Sequence, residues 1–208
     1  MKSQKRKEKI TRVDLSETIV DSQFTRFEAD LIGGNVIIKS GPEGQASLRV
    51  QWREDKIGMF GSFLLDGDTV RLQSKGFRSF IGQKHPYIIE VTLPIQTAVT
   101  VKMMAGVLYL DDLAGDVTAS LKAGEIAGNL SGKNLNIKLW AGDIKVALER
   151  VTGDSDITVK CSLGDVQLHF PQGILVHPIE ESKNGNIATT VGARIIAKAT
   201  LGGVRIEE

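Results

Sequence analysis

The sequence predicts an all-β protein folded as one β-solenoid, a β-helix-like stack with coils of about 20 residues. Three observations carry this prediction. Glycines recur in the C-terminal half about every 20 residues, and an aliphatic residue stands two positions after each glycine of this series. Apolar residues alternate or form short runs, as in strands, and no window has the periodicity of a helix. Aromatic residues are only 5% of the chain, whereas 22 of its 208 residues are glycine, which favours thin aliphatic layers joined by many turns.

The glycines fall into two series. The first recurs once per predicted coil, and its members are Gly106, Gly124, Gly142, Gly164, Gly185 and Gly202. The second series lies half a period away, at Gly115, Gly132, Gly153 and Gly173. Two interleaved series predict two principal faces per coil, each a short alternating strand that follows a glycine corner. Regular hairpins also produce closely spaced strands, and an antiparallel β-sandwich is therefore the alternative fold.

Stacking explains why such a pattern folds. A coil of this size cannot bury an apolar face by itself, whereas neighbouring coils bury a continuous core between them. Alternation sends every second side chain inward, and glycine supplies the positive φ that a tight corner needs. We therefore expect positive φ at the corner glycines, and equivalent residues of successive coils one above the other.

The chain divides into three predicted regions. Residues 1–12 hold six Lys or Arg and one Glu, a net charge of +5 that predicts a disordered basic arm. Residues 13–97 predict an N-terminal β region, with a hairpin-like turn at Gly33-Gly34 and strands at 46–52, 68–74 and 87–93. Residues 98–208 predict the repeat solenoid. Inside the N-terminal region, the hydrophobic and basic excursion 53–86 predicts a cap, because an open solenoid end exposes apolar layers and unpaired strand edges.

Charge and cysteine content narrow the function classes. The net charge of +1 gives no bias toward nucleic acid, and we expect none as a partner. Cys161 is the single cysteine, which excludes an intrachain disulfide, and its alternating apolar surroundings predict a buried, inert thiol. The chain shows neither a secretion signal nor an apolar run of the ~18 residues a membrane span requires. The sequence as written therefore predicts a cytoplasmic protein, and a peripheral association with the membrane is compatible with it. If the native chain carries a signal or anchor, the protein is expected to be surface-exposed.

The order of these motifs resembles a known family. A strand ending in VTLP at Pro94, a short spacer, the segment from Thr97 to Leu110 and the later GDV and GDI turns are similar to the bacterial putative-adhesin proteins. The segment GGNVIIKSGPEGQASLRV resembles the N-terminal edge of the same family, so the resemblance spans about residues 18–206. It implies a β-helix-like stack of unknown function, an envelope or stress-response setting, a protein or membrane partner, and no catalytic residues.

Three acidic residues follow glycines of the first series, and they are Glu125, Asp143 and Asp165. In a regular stack they form a carboxylate ladder with rungs ~4.8 Å apart. Such a ladder could bind Ca²⁺ or imitate the acidic cluster of polysaccharide-cleaving β-helix enzymes. Asp and Asn are also good corner residues, because their side chains bond nearby backbone amides. Asn186 and Gly203 in the same predicted column favour this structural role, and we expect no metal site.

The excursion is the predicted contact region, because basic residues there alternate with aromatic ones. Such a mixture suits an interfacial membrane contact, an anionic polymer or a partner groove. Trp140 predicts a further contact, since it points outward if Leu139 points inward. The candidate residues are Phe60, Phe63, Lys75, Phe77, Arg78, Phe80, Lys84, Tyr87 and Trp140.

Nothing in the sequence predicts catalysis. The three histidines form no constellation, and the common hydrolase, phosphate-binding and dinucleotide motifs are missing. We therefore expect a non-enzymatic structural or interaction module without cofactors, associated with the bacterial cell envelope or an envelope-stress system. Its expected partner is a protein or a membrane surface, and the pattern also allows a homo-oligomer. The alternatives are a polysaccharide-active β-helix enzyme and a filament-forming scaffold like the bactofilins.

Overall fold

The computed structural model describes residues 12–20, 24–53, 60–74, 88–174, 176–178, 186–189 and 191–207. Within these ranges every regular element is a strand, and no helix occurs. The strands are β1 (Arg12–Val20), β2 (Arg26–Gly41), β3 (Gln45–Arg53), β4 (Phe60–Asp66), β5 (Thr69–Ser74), β6 (Ile88–Pro94), β7 (Ala98–Leu113), β8 (Val117–Leu130), β9 (Asn134–Leu148), β10 (Asp156–Leu163), β11 (Val166–His169), β12 (Val176–Pro178), β13 (Asn186–Thr189), β14 (Arg194–Leu201) and β15 (Val204–Glu207). The all-β prediction is confirmed, as are the strands expected near 46–52, 68–74 and 87–93.

The strands form one large, mostly parallel sheet that does not close on itself. Strands β7, β8 and β9 pair in parallel over almost their whole lengths, so that Val99, Val117 and Leu135 are register partners. The first half of β9 then pairs with β10 and its second half with β11. Strand β14 then pairs with β10, and β15 pairs with β11. We call each long strand of this series, or each two short strands that lie end to end in its place, a rung. The six rungs β2, β7, β8, β9, β10/β11 and β14/β15 form the stack.

One glycine stands in the middle of each rung of the stack, directly over the glycine of the rung before. These corner glycines all have φ between 124° and 145°, and they are Gly34, Gly106, Gly124, Gly142, Gly164 and Gly202. A Cβ added to Gly124 would lie 1.8 Å from the carbonyl oxygen of Gly106. Both the left-handed φ and the backbone contact therefore require glycine. The predicted positive φ is confirmed at the described members of the first series.

Two predicted turns of the chain are wrong. Gly33-Gly34 is not a hairpin, because β2 runs unbroken through it and both halves of β2 pair with β7. A Gly-Gly pair suits a two-residue hairpin loop, but in β2 it forms the corner of a rung, and the strand does not reverse its direction after it. Asn186 does not share the position of Asp165 and Gly203 beside the corner glycines, since it pairs antiparallel with Ile196 and Gly202 lies directly over Gly164. On the next rung, Gly203 and not Asn186 therefore lies next to Asp165.

Further differences concern strand length and the second glycine series. Strands β7, β8 and β9 pass through the glycine corner and are 16, 14 and 15 residues long, rather than two short strands each. Gly115, Gly132 and Gly153 are not among the positive-φ glycines, so the φ expected of them is wrong, whereas Gly173 of the same series has the expected positive φ, at 86°. A Cβ on Gly115 would lie 2.2 Å from the Thr97 carbonyl oxygen. Glycine is needed at Gly115 for space and not for φ.

The N-terminal strands are arranged differently from the stack. Strands β6 and β7 are consecutive in the chain, yet β2 lies between them and pairs in parallel with both. The first half of β2 pairs with β5, so β5 and β6 together form the rung that precedes β2. Beyond that rung the pairing becomes antiparallel, with β3 on β6, β1 on β3 and β4 on β5.

The buried apolar side chains form a single cluster that runs the length of the stack. In each long strand every second side chain points into the core. This alternation shifts by one residue at the corner glycine, so that Val99, Val101 and Met103 are buried before Gly106, and Leu108 and Leu110 after it. Register partners of successive rungs fill the same layer of the core, as Leu108, Ile126, Ile144 and Val166 do. Cys161 belongs to this core at 2% exposure, which confirms the prediction of a buried thiol.

Candidate functional site

Exposed apolar side chains concentrate beside the corner glycines. Trp140 is 61% exposed and Leu201 is 66% exposed, and each stands within two residues of the glycine that follows it. Three further large apolar residues flank corner glycines of the stack and are also exposed. Together they define the corner ridge, which consists of Met104, Val107, Trp140, Leu163 and Leu201. A concentration of apolar surface at one side of a fold is typical of a contact site, whereas scattered exposed residues are not.

The position of Trp140 follows from strand alternation. Leu139 is buried at 2% exposure, so the next side chain of β9 points away from the core. The outward orientation predicted for Trp140 is therefore confirmed.

A row of lysines lies beside the ridge, on the outer face of the first halves of the rungs. Lys138, Lys160 and Lys198 are direct register partners on β9, β10 and β14. Lys102 occupies the same row on β7, separated from Lys138 by Ser120 of β8. We call these four residues the lysine row. Among the described residues no ion pair involves Lys102, Lys138 or Lys160.

The lysine row ends at β2. Asp30 of that strand is the register partner of Lys102, and Gln73 of β5 pairs with Asp30 on its other side. No salt bridge joins Asp30 to Lys102 in the described structure. The cationic surface therefore belongs to the rungs from β7 onward.

The sequence does contain a signal for the lysine row, in the residues that precede each corner glycine. The four lysines and Ser120 each stand four positions before a corner glycine. Reading the positions before each corner, as well as those after it, identifies the row.

The acidic residues lie on the other side of the corner glycines. Glu125, Asp143 and Asp165 occupy neighbouring rungs, as predicted, and each already has a partner within the fold. The Asp143 Oδ1 atom accepts a hydrogen bond from the Asp165 amide at 3.1 Å, and the Asp165 Oδ1 atom accepts one from the Gly203 amide at 2.7 Å. Glu125 forms an ion pair with Lys145 at 3.2 Å. The two aspartates therefore bond backbone amides of the following rung, in the structural role expected of corner residues.

No group of three or more His, Cys, Asp or Glu side chains in the described part of the chain is arranged to hold a metal ion. Cys161 donates a hydrogen bond from Sγ to the Gly142 carbonyl oxygen at 3.1 Å. Burial, with smaller contributions from the charges of Asp143 and Asp165, raises the pKa of the Cys161 thiol. A raised pKa keeps the thiol protonated at neutral pH and therefore weakly nucleophilic.

The other predicted contact residues fall largely outside the described part of the chain. Phe60 and Phe63 lie in β4, whose backbone pairs with β5. The remaining candidates lie outside the described residues, and they are Lys75, Phe77, Arg78, Phe80, Lys84 and Tyr87.

No helix in the described ranges has the length and apolar character that a membrane span requires.

Comparisons with known proteins place the fold. No family model matches the chain, and no curated protein matches it. A solved structure of a putative cell adhesion protein from Clostridium sporogenes ATCC 15579 has a TM-score of 0.59 at 11% identity, over 95% of this chain and 99% of that one. At this identity the likeness shows a shared fold along nearly the whole of both chains.

Two further solved structures are similar at lower scores. A putative adhesin from Bacteroides fragilis NCTC 9343 has a TM-score of 0.39 at 14% identity, over 94% of this chain and 98% of that one. A putative adhesin from Parabacteroides distasonis ATCC 8503 has a TM-score of 0.30 at 12% identity, over 93% and 97%.

Proposed function

We propose that this protein is a non-enzymatic interaction module of the bacterial cell envelope, and that the corner ridge is its contact surface. The single observation that carries the proposal is the concentration of exposed apolar side chains beside the corner glycines, with Trp140 and Leu201 more than half exposed. Large exposed aromatic and aliphatic side chains at one edge of a fold favour binding to a partner. The fold shared with the clostridial cell adhesion protein supports the same class of function.

We also infer that the stack is a β-solenoid, capped at its N-terminal end by the region that includes residues 53–86. Parallel pairing supports the solenoid, because the offset between register partners is the same from Val99 to Val117 as from Val117 to Leu135. The antiparallel pairs that a β-sandwich would use occur at the two ends of the described sheet. Strands β3 and β4 cover the β5/β6 rung by antiparallel pairing, and β1 pairs with β3 beyond them, as a cap would.

A polysaccharide-cleaving enzyme is the less favoured function. Glycoside hydrolysis needs a pair of carboxyl groups that are free to act on the substrate. Asp143 and Asp165 instead bond backbone amides, and Glu125 is paired with Lys145. These contacts favour a structural role for the three acids.

Co-sedimentation with purified bacterial cell envelopes tests the contact surface. The test variant is Met104→Ser, Trp140→Ser and Leu201→Ser together, which replaces ridge residues on three rungs. Its control is Leu65→Ser with Ile88→Ser, because these side chains are also exposed but stand outside the ridge. We expect the wild type and the control to sediment with envelopes and the ridge variant to remain in solution. Equal sedimentation of all three proteins, or none by the wild type, would contradict the proposal.

Self-association is measured in parallel. Light scattering of the wild type and the ridge variant reports whether the ridge joins two copies of the chain. A wild-type dimer that the ridge variant loses, without envelope binding by either protein, would assign the ridge to a homo-oligomer and contradict an envelope contact.

A further inference from the structure

We propose that the lysine row and Trp140 form a binding track for a linear, anionic polysaccharide lying along the stack. This inference rests on the proposed function, because it assigns a chemical class to the partner of the same surface. The acid groups of such a polymer would lie over the lysines, and one of its sugar rings would lie against the indole of Trp140.

The first argument is electrostatic. Lys138, Lys160 and Lys198 are direct register partners on adjacent strands, where like charges destabilise a sheet. Several exposed lysines elsewhere have acidic partners, as Lys145 has Glu125. Lys138 and Lys160 have no ion-pair partner among the described residues. The adjacent charges of Lys138 and Lys160 are explained if an external anion neutralises them, since departures from good local pairing concentrate at functional sites.

The second argument is the shape of the row. Neighbouring rungs of a sheet lie ~4.8 Å apart, so the row extends along the stack over five rungs from β7 to β14. A small anion would contact one or two of these lysines. A linear polymer with an acid group on successive units contacts all of them, and multiple contacts along one chain reinforce one another.

The third argument selects a glycan among linear polyanions. A second row runs beside the lysines, two residues earlier in each strand, and its outward threonines are Thr100, Thr118 and Thr158. Their hydroxyl groups both donate and accept hydrogen bonds, as sugar hydroxyls require. Trp140 adds one flat, exposed aromatic surface. Single-stranded nucleic acid would instead need an aromatic side chain for successive bases, whereas Trp140 is the one aromatic residue in the described part of this face.

The position of the acidic residues disfavours an anionic membrane. Glu125 and Asp143 stand on the opposite side of the corner glycines from the lysine row. A flat membrane that touched the corner ridge would face both sides, and the carboxylates would repel anionic headgroups. A polymer chain can follow the lysine row without approaching these acids.

Isothermal titration calorimetry at low salt tests the track, with polygalacturonate and dextran sulfate as the anionic glycans and dextran as the neutral one. The test variant is Lys102→Gln, Lys138→Gln and Lys160→Gln together. The control is Lys39→Gln, Lys133→Gln and Lys145→Gln, which changes the net charge equally but removes lysines that have acidic partners elsewhere. Circular dichroism and thermal unfolding establish that both variants fold.

We expect the wild type to bind at least one anionic glycan and not dextran, with affinity that falls as salt rises. The lysine-row variant should bind about tenfold more weakly, and the control should change by less than about twofold. Trp140→Ala should weaken binding several-fold and remove most of the ligand-induced change in tryptophan fluorescence. Equal losses in the two lysine variants would overturn the proposal, as would no binding to either anionic glycan.

Two competing polyanions complete the experiment. Tighter binding to vesicles of phosphatidylglycerol, or to poly(dT), than to the anionic glycans would overturn the choice of partner class. The experiments also distinguish a failure of the glycan track from a failure of the proposed envelope contact. If the ridge variant loses envelope binding while the lysine-row variant retains it, the ridge is a contact surface and the glycan track is wrong. If the wild type does not bind envelopes, the proposed function itself is contradicted.

Discussion

The stack and the N-terminal strands carry their charged residues in different ways. In the N-terminal strands Arg71 of β5 forms ion pairs with Asp66 of β4 at 2.8 Å and, across to the stack, with Glu28 of β2 at 3.2 Å. In the stack, Lys138 and Lys160 lie side by side on the outer face without acidic partners among the described residues. One continuous sheet therefore holds a neutralised arginine near its N-terminal end and two adjacent lysines without ion-pair partners among the described residues on one face of its middle. This contrast supports the proposal that this face of the stack binds an external anion.

The two regions also differ in how closely their backbones approach. A Cβ on the corner glycine Gly142 would lie 1.7 Å from the Gly124 carbonyl oxygen, whereas nothing lies within 4 Å of one added to Gly67, in the turn between β4 and β5. Gly142 and Gly67 both have positive φ, at 124° and 62°. The stack thus depends on glycine for space as well as for φ, and the turn depends on it for φ alone.

The largest expected effect comes from breaking this contact. We expect Gly124→Ala to lower the free energy of unfolding by about 3 kcal/mol or more, because it adds a backbone clash to an unfavourable φ. The matched change Gly67→Ala should cost about 1 kcal/mol, since it has only the cost of φ. Urea unfolding followed by circular dichroism measures both. Similar losses for the two variants would show that close approach does not distinguish the stack from the turn.

A smaller effect is expected from the charges. Lys160→Gln should raise the free energy of unfolding by a few tenths of a kcal/mol, because it removes a like charge between Lys138 and Lys198. Arg71→Gln should lower it by up to about 1 kcal/mol, because it removes two exposed ion pairs. Thermal unfolding at low and high salt measures both changes, which should shrink as salt is added. A clear loss of stability in Lys160→Gln would contradict the interpretation that Lys138 and Lys160 lie side by side without ion-pair partners among the described residues.

The smallest effect concerns a paired charge at a corner of the second series. The hydrogen bond from Lys133, with a second from Thr152, lowers the pKa of Asp154 to about 2 from its ordinary value of 3.8. Because the folded pKa is the lower one, the pairing stabilises the fold above about pH 4, and this contribution disappears as the pH falls through about 2. In Lys133→Gln the pKa of Asp154 should rise toward 3.8, as measured by NMR titration. An unchanged pKa would mean that Lys133 is not the main cause of the shift.

Several features could be read from single residues. Alternation correctly predicted the strands, the outward position of Trp140 and the burial of Cys161, because each depends on local spacing alone. The glycine spacing predicted positive φ at the described corners of the first series, and it correctly placed Glu125 beside Asp143. The Gly33-Gly34 turn was wrong, because a glycine pair has the same local signature in a hairpin and in a rung.

The candidate site was harder to predict. Lys138 and Lys160 are distant in the chain, so their proximity depends on the register of β9 with β10 and not on any local motif. Their shared position before a corner glycine is visible in the sequence, but only the register of the rungs shows that the two lysines lie side by side. The aromatic and basic residues of 75–87 remain a prediction, since they lie outside the described part of the chain.

The sequence by itself determined that the chain forms strands, where the corners at Gly106, Gly124, Gly142, Gly164 and Gly202 lie and which side chains turn inward, because alternation and backbone conformation are local properties. Only the tertiary structure decided the order of the rungs. It inserted β2 between β6 and β7, and it brought Gly202 over Gly164 although three strands, β11 to β13, separate β10 from β14 in the chain. The physical reason is that any strand with the right alternation can pair with any other. The choice among them depends on how side chains pack throughout the core, which no short segment encodes.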